Sequence, residues 1–282
     1  MAIRFIIDSA SDILPEEAKA LGLIHLPMTI MFGDTAYRDA VDLTHQEFYE
    51  KLIESDELPK TSQINPSIFE DAYKEVVDAG DTAIVITISS KLSGTYQSAV
   101  IASEDYEGKV FIVDSESACI GERLLVLRGL ELCKQDLSAE EIVETLNKEK
   151  KQIRLLALLD TLEYVKKGGR ISSAAAFAGT LLSLKPVLSF VDGEISVIGK
   201  ARGSKQGNNL LRELTAKGNG IDFDRPYALA YSGLSDKLLK KYIADSAELY
   251  AEHTADLPIT TVGCAIGTHA GPGAIAVAFF EK

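Results

Sequence analysis

The chain has 282 residues, 46% of them hydrophobic and 25% charged, with a formal net charge of -13. That length exceeds what one small core needs and predicts two domains. The acidic balance excludes a general nucleic-acid surface, which requires clustered Lys and Arg.

Ile3 to Ile7 is an apolar strand ending in Asp8-Ser-Ala-Ser-Asp12, too short to be a signal-peptide core. Pro15 opens a short helix at its favoured early position. Leu23 to Phe32 is an apolar run split by Pro27 and reads as one or two strands. Thr44 and Glu47 form a capping box for a helix with Phe48, Leu52 and Ile53 on one face. Pro59 to Ser67 reads as a loop, and Pro66 opens the next helix.

Ala83 to Ile88 is a short, bounded run of apolar and β-branched residues, the pattern of a buried parallel strand. Ser89 to Ser93 is a polar turn, and a helix begins near Gly94. Ligands of open α/β sheets bind at such strand ends, and a helix N-terminus suits an anion. Ser93 sits at the cap position, so its hydroxyl either caps the helix or donates to that anion. Val110 to Val113 is a further strand, and Ser138 with Glu141 caps a helix reaching Lys150. Alternating strands and helices predict a parallel, helix-flanked sheet in the first half.

Ile153 to Leu159 is a strand at the crossing into a second domain, which gives domains of residues 1–155 and 156–282. A helix over Asp160 to Lys167 ends at Gly168-Gly169, and Ala174 to Leu182 reads as a small-residue helix. Asp192-Gly193 joins two antiparallel strands, Val187 to Val191 and Ile195 to Lys200. A helix over Gly203 to Lys217, a strand over Tyr227 to Tyr231 and a long amphipathic helix over Leu234 to Tyr250 follow. Ile259 to Val262 is a strand, Gly263 to Gly273 a glycine-rich loop, and Ala274 to Phe280 the closing strand.

The motifs absent are informative. No dinucleotide fingerprint, Walker loop or nucleophile elbow occurs. The four histidines show no metal-ligand spacing. Cys119, Cys133 and Cys264 form no CxxC, so neither a disulfide framework nor a zinc site is indicated. No apolar run reaches membrane-spanning length.

Three polar stretches remain: Thr61-Ser62, Ser93-Gly94-Thr95 and Gly267 to Gly273 with Thr268 and His269. Each alone also reads as a turn, a cap or a structural histidine. Together with Asp8 to Pro15, Lys60 to Gln63, Ser90 to Ala99 and Gly168 to Ser172 they form a combination that resembles the DegV family, and closely the fatty-acid-binding subunits of bacterial fatty acid kinase. The resemblance runs from Ile3 to Phe280.

It implies a two-domain α/β protein: an N-terminal parallel sheet flanked by helices, a second α/β domain with a mixed sheet, and one long-chain fatty acid between them. It implies carboxylate contacts from Thr61, Ser62, Ser93, Gly94, Thr268 and His269, and no further cofactor. It also implies a separate kinase subunit that phosphorylates the bound carboxylate with ATP, so that this chain is no enzyme itself. Arg170 and Arg202 are expected outside the pocket, facing that kinase. The implied location is cytoplasmic, with no integral membrane segment and only transient membrane contact during acyl exchange. Two other readings stand beside it: a free-standing phosphotransferase or hydrolase using Ser93 and His269, and a sugar- or phosphate-binding module. The second of these would need more charged or aromatic pocket residues, and Trp is absent altogether.

Overall fold

The computed structural model describes residues 2–171 and 184–282. The first half contains β1 (Ile3–Asp8), α1 (Pro15–Ala20), β2 (Ile24–Leu26), β3 (Thr29–Phe32), β4 (Thr35–Arg38), α2 (His45–Glu54), β5 (Lys60–Ser62) and α3 (Pro66–Asp78). It continues with β6 (Thr82–Thr87), α4 (Thr95–Ala102), β7 (Val110–Asp114), α5 (Cys119–Cys133) and α6 (Ala139–Glu149). The second half holds β8 (Ile153–Leu158), α7 (Glu163–Lys167), β9 (Leu184–Val191), β10 (Glu194–Arg202), α8 (Gly203–Ala216) and β11 (Tyr227–Tyr231). It closes with α9 (Lys237–Asp245), α10 (Ala247–Tyr250), β12 (Ile259–Thr261), α11 (Cys264–Ala270) and β13 (Ile275–Phe280).

The expected α/β architecture is present. A four-stranded sheet runs β2-β1-β6-β7, and every pairing in it is parallel. All six residues of β6 are buried, because helices cover both faces of such a sheet. A six-stranded mixed sheet runs β10-β9-β8-β13-β11-β12. The hairpin between β9 and β10 turns at Asp192-Gly193, both with positive φ (49° and 82°), as a tight two-residue turn requires.

α5 lies between these sheets. Leu125, Val126 and Leu132 pack with Phe5, Ile7 and Ile84 of the parallel sheet. Cys119, Ile120 and Leu124 pack with Ala228, Ala276 and Ala278 of the mixed sheet. A helix buried on opposite sides has no polar stripe, which is why no periodicity announced it in the sequence.

Several expectations are corrected. The Pro59 to Ser67 loop contains β5, which joins β3 and β4 in a small antiparallel sheet. The helix expected from Asp160 starts at Glu163. The long helix over Leu234 to Tyr250 breaks at buried Ser246, which leaves helical geometry at φ -124°, ψ 17°. Tyr242 and Tyr250 hydroxyls bond across the break at 3.1 Å. The Gly263 to Gly273 loop contains α11, whose first N–H groups are satisfied from far away. Asp12 Oδ1 accepts from Gly263 N, and Asp39 accepts from Cys264 N and Ala265 N. The helix expected over Ala174 to Leu182 and Ser172, the last residue of the Gly168 to Ser172 stretch, lie outside the described residues. Among the described residues no helix is long and apolar enough to cross a membrane.

Candidate functional site

An apolar cavity lies between the mixed sheet, α11 and the loops that follow β5 and β6. It encloses about 990 Å³ of space between atoms when the open solvent at its mouth is counted, and its lining is predominantly apolar, as in most small-molecule sites. Its floor follows from period two in the strands. On β8, Leu156 and Leu158 point to the core shared with α8 and α9, while Leu155 and Ala157 face the cavity. On β13, Val277 and Phe279 take the core side and Ala276 the cavity side. Ala276 pairs directly with Ala157, so two methyl groups stand where larger side chains would fill the space. Leu188, Phe190 and Val262 continue the wall.

One end of the cavity is polar. Thr61, on β5 opposite Ile30 of β3, shares a 3.1 Å hydrogen bond between its Oγ1 and His269 Nε2. His269 lies in the last turn of α11. Its Nδ1 is buried with no hydrogen-bond partner among the described residues, and a side chain on Gly168 would run into it. Burial first, and the Arg170 charge second, push the imidazole down to about 4. The ring is therefore neutral at neutral pH.

Ser93 belongs to a turn tied down at several points. Ile88 N donates to Asp8 Oδ2 at 2.8 Å, and Ser89 Oγ donates to Gly193 O at 2.7 Å. Ser93 Oγ accepts from Thr95 N at 3.2 Å and bonds Thr95 Oγ1 at 2.9 Å. Gly94, not Ser93, is the N-cap of α4, so the expected cap shifts by one residue. The Ser93 side chain both steadies the helix start and lines the cavity.

The structure gathers Thr61, Ser62, Ser93 and His269 around the cavity. It does not gather the other two. Thr268 is buried and donates to Cys264 O within its own helix at 2.9 Å, so its hydroxyl is turned away. Gly94 borders an adjoining polar surface depression instead, where a side chain would run into Gln63. The arginines separate as well. Arg170 is exposed but lines the cavity, donating to Leu92 O at 3.3 Å and Gly168 O at 2.7 Å, which corrects its expected place outside the pocket. Arg202 is exposed at the end of β10 and lies outside the lining. Gln63 was missed: it borders both the cavity and the depression and donates to Ser98 Oγ at 3.0 Å. Its place directly after Thr61-Ser62 was the available signal.

Similarity to known proteins agrees over the whole length. The family model described as "Uncharacterised protein, DegV family" matches residues 2–282. A DegV domain-containing protein of Caldanaerobacter subterraneus is 36% identical, with 99% of each chain covered. The chain belongs to the DegV family. Among solved DegV structures, a Thermus thermophilus family protein described with its fatty acid binding superposes with a TM-score of 0.86 at 31% identity over all of both chains. A stearic-acid-binding protein of Eubacterium ventriosum also gives 0.86, at 26% identity over 100% of this chain and 99% of the other. DegV of Bacillus subtilis, described as a fatty acid binding protein, gives 0.82 at 30% identity over all of both chains.

Proposed function

We propose that this DegV protein binds one long-chain fatty acid in the apolar cavity and presents its carboxylate at the polar end to a separate ATP-dependent kinase subunit. The observation that carries the reading is an apolar cavity closing on the hydroxyls of Thr61, Ser62 and Ser93 and the neutral His269, with the Arg170 cation at its rim. Burying a methylene contributes about 0.8 kcal/mol, so a 16-carbon tail gains on the order of 10 kcal/mol before costs. A buried carboxylate must be hydrogen-bonded or it protonates. With the ring proton on Nε2, His269 donates to Thr61 Oγ1 and frees the Thr61 hydroxyl proton for the carboxylate. Ser62 and Ser93 supply further hydroxyls. The DegV relatives described as binding fatty acids support the fatty-acid part of this reading.

The chain supplies no catalytic group of its own in this proposal, and it works in the cytoplasm without a cofactor. A hydrolase using Ser93 and His269 is disfavoured by geometry: Nε2 is bonded to Thr61 and Nδ1 faces Gly168, so neither ring nitrogen serves Ser93 as base. Arg170 at the rim and Arg202 beyond it face the kinase. Two measurements test the reading. Mass spectrometry of the purified protein should find about one long-chain fatty acid per chain. Addition of ATP and the cognate kinase subunit should give acyl phosphate. A stable protein carrying no acid sinks the binding reading, and bound acid without turnover sinks the kinase partnership alone.

A further inference from the structure

Asp39, His45 and Cys264 converge away from the polar end of the cavity, and each offers one ligand atom within 4.8 Å of the others. They come from three places: the segment after β4, the start of α2 and the start of α11. We propose that this cluster is a zinc site that pins α11, the helix carrying His269, to the N-terminal half.

The donor set is thiolate, imidazole and carboxylate, the borderline mixture that suits Zn²⁺. Each donor has a lone pair in the right place once the Cys264 thiol proton leaves. Asp39 Oδ2 accepts from Ser9 Oγ and Ala265 N, which occupies both of its lone pairs. Asp39 Oδ1 accepts the Cys264 N–H, which holds it beside the Cys264 backbone, and the carboxylate's further partner is the Cys264 thiol, whose proton a metal would replace. His45 Nδ1 lies 2.7 Å from Thr261 Oγ1. With its proton donated there, the ring is fixed in the tautomer that turns a lone pair out at Nε2, the outer-shell arrangement typical of metal-bound histidine. Gly263 keeps the approach open: a Cβ there would sit 3.1 Å from His45 Nε2 and 2.8 Å from Asp12 Oδ1. Cys264 is fully buried; its thiol is hydrogen-bonded to the Asp39 carboxylate and the Ala40 backbone, the thiol proton being the one a metal would displace, and has in addition the weak acceptor Leu43 O at 3.7 Å. That carbonyl or a water would complete four-coordination. Spacing in the sequence hides such a site, because Asp39 and Cys264 are 225 residues apart.

The test uses the full chain after dialysis against a chelator. Titration with Co²⁺, which reports thiolate ligation by a sulfur-to-metal charge-transfer band and tetrahedral geometry by its visible bands, should saturate at one equivalent, and Zn²⁺ should displace it. Elemental analysis should give one zinc per chain after reconstitution, with a melting temperature that rises with free zinc. Cys264→Ser should abolish the charge-transfer band. His45→Gln should weaken cobalt binding at least about tenfold, and Thr261→Val by roughly ten- to a hundredfold through loss of the orienting bond. If Cys264→Ser does not fold, the two milder variants carry the test. Absence of a one-equivalent cobalt spectrum, or unchanged affinity in both His45→Gln and Thr261→Val, overturns the assignment.

Discussion

The two large sheets use their side chains in opposite ways. In the parallel sheet, β1 and β6 bury residues on both faces, Ile6, Ala83 and Val85 in one core and Ile7, Ile84 and Ile86 in another. No face is left for a ligand, and the sheet reaches the site only through loops at its carboxyl ends. In the mixed sheet, one face is core, and the other is covered by α5 over part of its area and lines the cavity over the rest, with Ala157 and Ala276 keeping it low. In the proposed function, recognition of the head group falls to loops at the ends of the parallel sheet and to β5 and α11, while room for the tail falls to the mixed sheet. Head and tail should be separable by mutation.

The largest effect tests the tail side. Ala276→Phe places a ring over the Ala157–Ala276 floor and should nearly abolish copurified acid, at a stability cost of about 1–3 kcal/mol for overpacking. Mass spectrometry beside a melting curve separates the two. Full occupancy in a folded variant would mean that the tail does not lie on this floor.

Next comes the head group. Thr61→Val keeps the shape but removes the hydroxyl, and Ser93→Ala removes the other. Losing one hydrogen bond to a charged group costs about 1.5–3 kcal/mol, a fall in affinity of roughly ten- to a hundredfold by competition with a fluorescent fatty acid. The acyl-chain preference should stay unchanged, since the floor is untouched. A shift in chain preference would break the division between head and tail.

The same division governs what the sequence reveals. Apolar runs, capping boxes at Thr44 and Ser138 and the Asp192-Gly193 turn are local, and each is found where it was expected. α5 was missed because burial between two sheets erases the stripe that identifies a helix. α11 read as a loop because its N-terminal donors are met by Asp12 and Asp39, partners far back in the chain. In the site, Thr61, Ser62, Ser93 and His269 were legible as polar residues in turn-like settings. Thr268 looked equivalent to His269, but helical geometry turns its hydroxyl back to Cys264 O. The tail floor was written only as alternation, Ile275-Ala-Val-Ala-Phe279, in which the small residues mark space.

A smaller effect reports the electrostatics of the head group. The folded pKa of His269 is depressed from 6.5 to about 4 by burial and by Arg170. The unfolded chain therefore takes up a proton that the folded one refuses, and stability contributed by the neutral ring is lost as pH falls from about 6.5 to 4. His269→Gln cannot titrate. Its stability should fall less over that window than that of the parent chain, read from denaturant midpoints at pH 7, 5.5 and 4.5. Parallel curves for the two would place the imidazole in water rather than against Gly168.

The smallest effect on binding is expected at the arginines, and it sharpens the boundary between holding the ligand and handing it on. Arg170 touches the rim through Leu92 O and Gly168 O. Arg170→Ala should lower acid retention only a few-fold, because the hydroxyls and His269 remain. Arg202 lies outside the lining, and its backbone N–H is bonded to Gln206 Oε1 at 3.1 Å, so truncating its side chain leaves the start of α8 in place. Arg202→Ala should leave occupancy within about twofold of the parent chain. Both variants should lower ATP-dependent acyl-phosphate formation with the cognate kinase subunit, because an exposed cation on a chain of net charge -13 is suited to meet acidic groups or phosphates of a partner. Raising the ionic strength should slow the parent chain toward the variants, since exposed charge pairs are screened over about 8 Å in physiological salt. Normal turnover in Arg202→Ala, at either salt, would move the partner's docking face elsewhere and leave the binding reading intact.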